Sequence, residues 1–266
     1  MLQKTPHATA IRFASWLSPL LYETYAYIAR YIGACLGLLT SLQNGGDLSD
    51  FAHEDVEIGF LCGLLYVHMA RDVACAVELL AAPILEGERY HDTPVYFSDV
   101  IVHQNSPYRC FNDLQGCVWA YNERASHSGY NLVNYSLWQQ GKQQDYFGST
   151  IETGAHLQSL RFVLEGKADA AALDSHLLDV LSAQHPDKVS NLRIIDALGP
   201  SSIPPLVVAK RLDHSLKEHI REALLTMHTD ADAARQLQKG CIKRFVSVSD
   251  EQYHDIRSMY ALNQGC

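Results

Sequence analysis

The segment Ser126-His127-Ser128-Gly129 follows a predicted strand and opens a predicted helix. Two hydroxyls and the unpaired amides of a helix start meet there, and such an end carries partial positive charge that attracts phosphate-like groups. The plainer reading is an N-cap by Ser126 or Ser128. A second segment, Thr153-Gly154-Ala155-His156, has the same setting. Gly154 permits a tight turn, and His156 in the first helical turn offers a ring N–H to an oxyanion. A lone His is more often structural. Two such loops at the carboxyl ends of strands are, however, where a doubly wound sheet lines its ligand crevice.

Other chemistry can be drawn from the same residues. Ser126 or Ser128, His156 and Asp174 nominally supply a nucleophile, a base and an orienter, but no Gly-x-Ser-x-Gly elbow accompanies them. His127, His156 and His176 with Asp174 could gather a metal ion. With 13 His in the chain and none at the close spacing of zinc motifs, chance accounts for them and no metal site is expected.

The elements that must position these loops alternate between short apolar runs and stretches of helical period, the pattern of an α/β protein with mostly parallel sheets. Strands are predicted at 11–14, 38–42, 56–61, 77–81 and 95–102, with helices at 19–36 and 48–53. The alternation restarts with strands at 118–121, 146–151, 168–173 and 192–195 and helices at 130–140, 157–164 and 176–183. Pro200, Pro204 and Pro205 then precede a return strand at 206–209 and helices at 215–227, 231–239 and 251–261. A chain that builds one lobe, crosses to a second and returns has two crossing strands that serve as a hinge. The expected lobes are 1–97 with 205–266, and 98–204, the latter carrying both anion-binding loops.

The 266 residues carry 21 Lys and Arg against 30 Asp and Glu, a net charge of −9. That balance argues against nucleic acid and anionic membrane surfaces, both of which need a basic footprint. An anion bound here has to be captured by local donors. Seven cysteines without a CxxC pair signal neither a zinc ribbon nor a redox site. The start, Met1 to Ala10, is polar and lacks the apolar core of a signal peptide, and Leu17 to Leu39 is broken by Glu23 and Arg30 before it could span a membrane.

The run from Pro94 to Val102, Asn105-Ser106-Pro107 and Asp113-Leu114-Gln115-Gly116, taken with the two loops above, Gly166-Lys167-Ala168-Asp169-Ala170-Ala171 and Pro204-Pro205-Leu206-Val207-Val208, resembles the phosphonate- and phosphate-binding family of periplasmic proteins serving ABC transporters. The resemblance covers residues 10 to 258. It implies a two-lobed type II periplasmic-binding-protein fold that closes on a small oxyanion, catalyses nothing, needs no cofactor and delivers its cargo to the transporter's membrane subunits. By the same resemblance Ser126, His127, Ser128 and Gly129 hold the oxyanion through hydroxyl and backbone donors, His156 adds a side-chain donor, and first-lobe aromatics cover the other end. Trp16, Tyr22 and Tyr66 are the candidates, Trp16 the best placed because it follows the first strand, and Cys62-Gly63 could line the cleft.

Family members that bind aminoalkyl phosphonates receive the ammonium on carboxylates. Here the corresponding regions read Asp174-Ser175-His176 and Ile203-Pro204-Pro205, so small or neutral-tailed oxyanions are expected unless Asp174 turns into the cleft instead of capping its helix. The resemblance implies a periplasmic or cell-envelope location. A true start at Met1 would instead imply the cytoplasm, and with it an enzyme or sensor on the same fold, for example in cofactor biosynthesis.

Overall fold

A computed structural model describes residues 10–142 and 145–264. The polar start at 1–9, on which the reading of an export signal rests, lies outside the described residues, as does Cys266. Strand β1 (Ile11–Ser15) leads through a Ser18-capped turn into helix α1 (Tyr22–Leu36). Tyr25, Ile28, Ala29 and Ile32 recur at helical spacing on its buried face, and Gly37 ends it at a φ of 65°, a conformation that costs glycine little.

The chain continues through β2 (Thr40–Asn44), β3 (Ile58–Phe60), α2 (Gly63–Ala70), β4 (Val77–Leu85), β5 (Val95–His103) and β6 (Val118–Tyr121). Then come α3 (Leu132–Gln139), β7 (Ser149–Glu152), α4 (His156–Leu164), β8 (Ala170–Asp174), α5 (Ser175–Gln184), α6 (Pro186–Val189) and β9 (Leu192–Ser202). The last elements are β10 (Leu206–Ala209), α7 (His214–Thr226), α8 (Ala231–Lys239), β11 (Ile242–Val246) and α9 (His254–Gln264).

The strands form two sheets, a six-stranded one ordered β11-β4-β10-β3-β1-β2 and a five-stranded one ordered β7-β6-β8-β5-β9. Parallel pairing holds for β2-β1-β3 and for β7-β6-β8. The remaining pairs are antiparallel, so each sheet is mixed. In each, the strand that ends the parallel run is the one arriving from the other sheet: β10 after β9, and β5 after β4. The two-lobed α/β architecture follows from that exchange.

Among the elements that differ from expectation, four have a clear physical reason. Helix α2 is apolar almost throughout and buried at Leu64, Tyr66 and Val67, so no amphipathic stripe announces it. Strand β11 hides behind Lys243 and Arg244, and its expected alternation is broken by a register shift between Ile242 and Arg244. Strand β4 runs on past Ala81 to Leu85 because β11 gives it a partner. Strand β9 extends beyond Ile195 to Ser202 in spite of Pro200, which an edge strand tolerates because its outer side needs no N–H.

Side-chain alternation loads both faces of each sheet. In β5, Val100 and Val102 join Phe111, Trp119 and Leu137 on one face, while Ile101 joins Leu160, Val163 and Leu178 on the other. Two helices bridge the lobes: α9 sends Ile256 into the first lobe's cluster and Met259 into the second's, and α5 sends Val180 to the first and Leu181 to the second.

At the β4-to-β5 crossing, fully buried Asp99 receives two hydrogen bonds from Arg89, at 3.0 and 2.6 Å, and the guanidinium lies 4.6 Å from the Phe97 ring centroid. Removing one partner of such a pair strands the other charge. Arg89→Ala is expected to cost about 3 kcal/mol in urea unfolding, whereas a loss below about 0.5 kcal/mol would show that Asp99 does not depend on it.

Candidate functional site

A cavity of about 310 Å³ lies between the two sheets, walled by the loops after β6, β7 and β8 on one side and by the ends of β1, β3 and β10 on the other. Ser126, Ser128, Gly154, His156 and Asp174 line it from the second lobe. Trp16, Tyr25, Phe60 and Cys62 line it from the first. Both sequence-predicted loops therefore reach one space.

The Ser126–Gly129 loop is built from the inside out. Ser126 caps the turn, its hydroxyl accepting from the Gly129 amide at 3.0 Å, and residues 127–131 form one wide π-type turn before α3. The amides of His127 and Ser128 stand at the head of this turn, where no intrahelical carbonyl serves them. The His127 amide points at the Cys62 thiol, and burial pushes that thiol's pKa up, so the sulfur stays protonated and inert. The Ser128 carbonyl is held by the Ser98 hydroxyl at 2.6 Å. Its side chain faces His156, Oγ to Nε2 at 3.1 Å.

Gly129 does not line the cavity, and its place has a steric reason. A Cβ there would fall 1.9 Å from Asn122 Oδ1 and 3.2 Å from His156 Cε1, so only glycine lets the Ser128 turn close on the His156 loop. Burial lowers the His156 pKa to about 4, leaving the ring neutral at pH 7. Its Nδ1 faces the Ala172 carbonyl without forming a good hydrogen bond. The tautomer sets the direction of the Ser128 bond: a proton on Nδ1 makes Nε2 the acceptor of the Ser128 hydroxyl, and a proton on Nε2 makes His156 the donor to Ser128 Oγ.

The His127 side chain stands outside the cavity, which leaves only its backbone for the expected role. It is fully buried, away from the cavity wall, with Nε2 on the Ser201 hydroxyl at 2.8 Å and Nδ1 on the Asn131 amide at 3.0 Å. Ser201 donates onward to Asp255 at 2.8 Å. His127 thus ties the anion loop to β9 and α9, and only its backbone remains near the site. Tyr66 also leaves the site: it sits in the core beside α9, edge-on to Tyr253, with its hydroxyl on Asp250 at 2.6 Å. Tyr22 donates to the Leu42 carbonyl at 2.8 Å and lines nothing. Trp16 does line the cavity, stacked on Phe51 and anchored through Nε1 to the Gly46 carbonyl at 2.9 Å.

Asp174 satisfies both readings offered by the sequence. One oxygen caps α5 by accepting from the His176 and Leu177 amides at 2.8 and 3.2 Å, and the residue borders the cavity. It keeps some exposed surface there. Burial raises its pKa to about 7 against the pull of the two amides, with Asp99 and Asp179 adding to the rise. Asp174 makes no bond to His156, so no nucleophile, base and orienter chain exists. His176 binds the Gly240 carbonyl at 2.6 Å, and the three imidazoles therefore face different partners instead of one ion.

Sequence reasoning missed Tyr96, which lines the cavity from β5 while fully buried. Burial pushes its pKa well above the ordinary value, and its hydroxyl reaches Ser128. The signal was present, since Pro94-Val95-Tyr96 belongs to the motif that carries the resemblance. Among the described residues no Lys or Arg lines the cavity, and the carboxyl groups that do are Glu123 and Asp174. The donors an anion meets here are neutral hydroxyls and backbone amides, with these two carboxyl groups in the same wall.

A sequence-family model described as ABC transporter, phosphonate, periplasmic substrate-binding protein matches residues 18–253. Among solved structures, the chain resembles PhnD1 of Prochlorococcus marinus, solved with methylphosphonate, with a TM-score of 0.83 at 16% identity over 98% of this chain and 100% of that one. A binding protein component of an ABC phosphonate transporter from Pseudomonas aeruginosa gives 0.81 at 18% identity over 97% and 87%. The periplasmic aliphatic sulphonate binding protein SsuA of Escherichia coli gives 0.66 at 14% identity over 96% and 87%. At these identities the structural likeness speaks for the fold.

Two expectations follow from the buried groups. Gly129→Ala, whose methyl collides with Asn122, should lower thermal stability by at least several degrees in calorimetry; an unchanged transition would contradict the packing described. The second concerns pH. His127, His156 and His176, each depressed to about 4, contribute stability that is complete above about pH 6.5 and lost as pH falls through about 4. Asp174, raised to about 7, contributes stability that is complete below about pH 4 and lost as pH rises through 7. Between pH 6.5 and 4.5 the melting temperature should therefore fall, and fall more steeply in Asp174→Asn. Parallel profiles would refute the assignment.

Proposed function

The chain belongs to the family of phosphonate periplasmic substrate-binding proteins of ABC transporters, and from that premise we propose that it captures a phosphonate-type oxyanion at the Ser126–Ser128 turn. The observation that carries this reading is the Ser128–His156 hydrogen bond, which holds the Ser128 hydroxyl at the wall of a cavity that no Lys or Arg lines among the described residues. The phosphonate oxygens accept from the Ser126 and Ser128 hydroxyls, from the Ser128 amide and from Tyr96. His156 polarises Ser128 from behind, while Trp16 covers the first-lobe side. Several neutral hydrogen bonds to one charged group replace its water shell, each contributing more than a bond between neutral partners. His127 and Gly129 act through the backbone and by packing.

The division of labour follows the two crossings. Residues 1–97 with 205–266 move against 98–204, hinged near 97/98 and 204/205, with α5 and α9 meeting the opposite lobe on closure. The closed form then docks on the transporter's membrane subunits at the envelope. No helix among the described residues is long and apolar enough to cross a membrane, which suits a receptor that carries its cargo to those subunits. The second reading, an enzyme or sensor on this fold, is disfavoured because Asp174 is engaged by its own helix and Cys62 is held protonated.

Calorimetric titration with methylphosphonate tests this proposal. A hydrogen bond to a charged group is worth roughly 1.5 to 3 kcal/mol, so Ser128→Ala and His156→Ala should each weaken binding about ten- to a hundredfold. Unchanged affinity in both variants would remove the site.

A further inference from the structure

The cavity is too long for an oxyanion head alone. Phe60 on β3 stands opposite Leu206 on β10, and Leu206 stands opposite Ala81 on β4. Pro83, two residues further on the same face of β4, is opposite Phe245 on β11. Trp16 extends this row on the β1 side, one residue past the Ser15–Phe60 pair. Trp16, Phe60, Leu206, Pro83 and Phe245 all line the same cavity. They cross β1, β3, β10, β4 and β11, and four strand spacings of about 4.8 Å make a slot on the order of 19 Å long.

The two ends of the slot differ in chemistry. Near β3, the Ser126–Ser128 turn approaches Cys62 through the His127 amide, which places the hydrogen-bond donors at that end. Near β11 the roof is the start of α5, with Leu177 in the cavity wall and His176 fastened to the carbonyl of Gly240, two residues before β11. The register shift in β11 brings both Ile242 and Phe245 to the cavity. Lys243 and Arg244 turn away to Asp92, at 2.9 and 2.6 Å. Among the described residues no Lys or Arg lines the far end, which is walled by Pro83, Leu177, Leu206, Ile242 and Phe245, with Asp174 and His176 at the α5 start.

A volume of about 310 Å³ corresponds to about ten water-sized units at roughly 30 Å³ each. A methylphosphonate, with its five non-hydrogen atoms, fills about half. The geometry points to an alkyl- or arylphosphonate whose apolar substituent lies along the sheet edge, under α5, toward β11. This rests on the reading of the Ser126–Ser128 turn as the oxyanion end. The substituent is uncharged and adds roughly five non-hydrogen atoms beyond a methyl head.

Isothermal titration of the intact protein with methyl-, butyl-, hexyl- and phenylphosphonate tests the inference. Burying one methylene tightens binding about fourfold, so butylphosphonate should bind roughly fiftyfold more tightly than methylphosphonate, with the gain levelling off once the slot is filled. Ile242→Trp, which plugs the far end, should leave methylphosphonate affinity within about twofold and abolish the chain-length gain. The wild-type series decides the matter even if that variant does not fold. Methylphosphonate binding with no gain, or a loss, on lengthening the chain would overturn the apolar substituent while leaving the oxyanion site intact. Failure of every member to bind would instead overturn the oxyanion reading beneath it.

Discussion

The contact between Ser128 and His156 is the constraint around which the rest of the site is arranged. It joins the loop after β6 to the first turn of α4, and it forms only because Gly129 leaves room for Asn122 and the imidazole ring to approach its backbone. Ser98 holds the Ser128 carbonyl from β5, and His127 anchors the same turn to Ser201 and, through it, to Asp255. A hydroxyl at the cavity wall is useful to an anion only if it cannot turn away. Three elements of the second lobe and the last helix of the chain are arranged to prevent that.

The same network offers a route by which the proposed closure would be coupled to binding. Strand β9 carries Ser201 and leads directly into the return crossing, so the anion turn is hydrogen-bonded to one hinge strand. At the other crossing, Arg89 binds Asp99, and Tyr90 reaches Ser175 and Asp179 on α5. Both crossings are therefore fastened to elements that start at the cavity wall. An oxyanion that draws the Ser128 turn and the α5 start toward the first lobe acts on the hinge through bonds already in place, without a cation to pull it in.

Much of this was legible in the sequence, because the features concerned are local. Strand followed by Ser or Thr, Gly and His at a helix start reports a loop at a strand end whatever the tertiary context, and both loops fell where expected. The alternation of apolar runs gave two lobes and the return through Pro204-Pro205. What could not be read depended on neighbours. Tyr66 and Trp16 are both aromatic residues near strand ends, yet Asp250 claims the first and only the second faces the cleft. His127 sits beside Ser128 in sequence and points to the opposite side of the turn. The apolar slot was also invisible, since β11 had been hidden by Lys243 and Arg244, and without β11 the row from Trp16 to Phe245 has no end.

The central claim is that an oxyanion is held by neutral donors between the lobes, and a crystal structure of the protein with methylphosphonate tests it most directly. The account predicts phosphorus inside the cavity, with one oxygen accepting from Ser128 Oγ while that atom remains bonded to His156 Nε2, and with no Lys or Arg within 4 Å, the ion-pair range. A phosphonate found outside the cavity, or held there by a Lys or Arg side chain with Ser128 turned away, would contradict it.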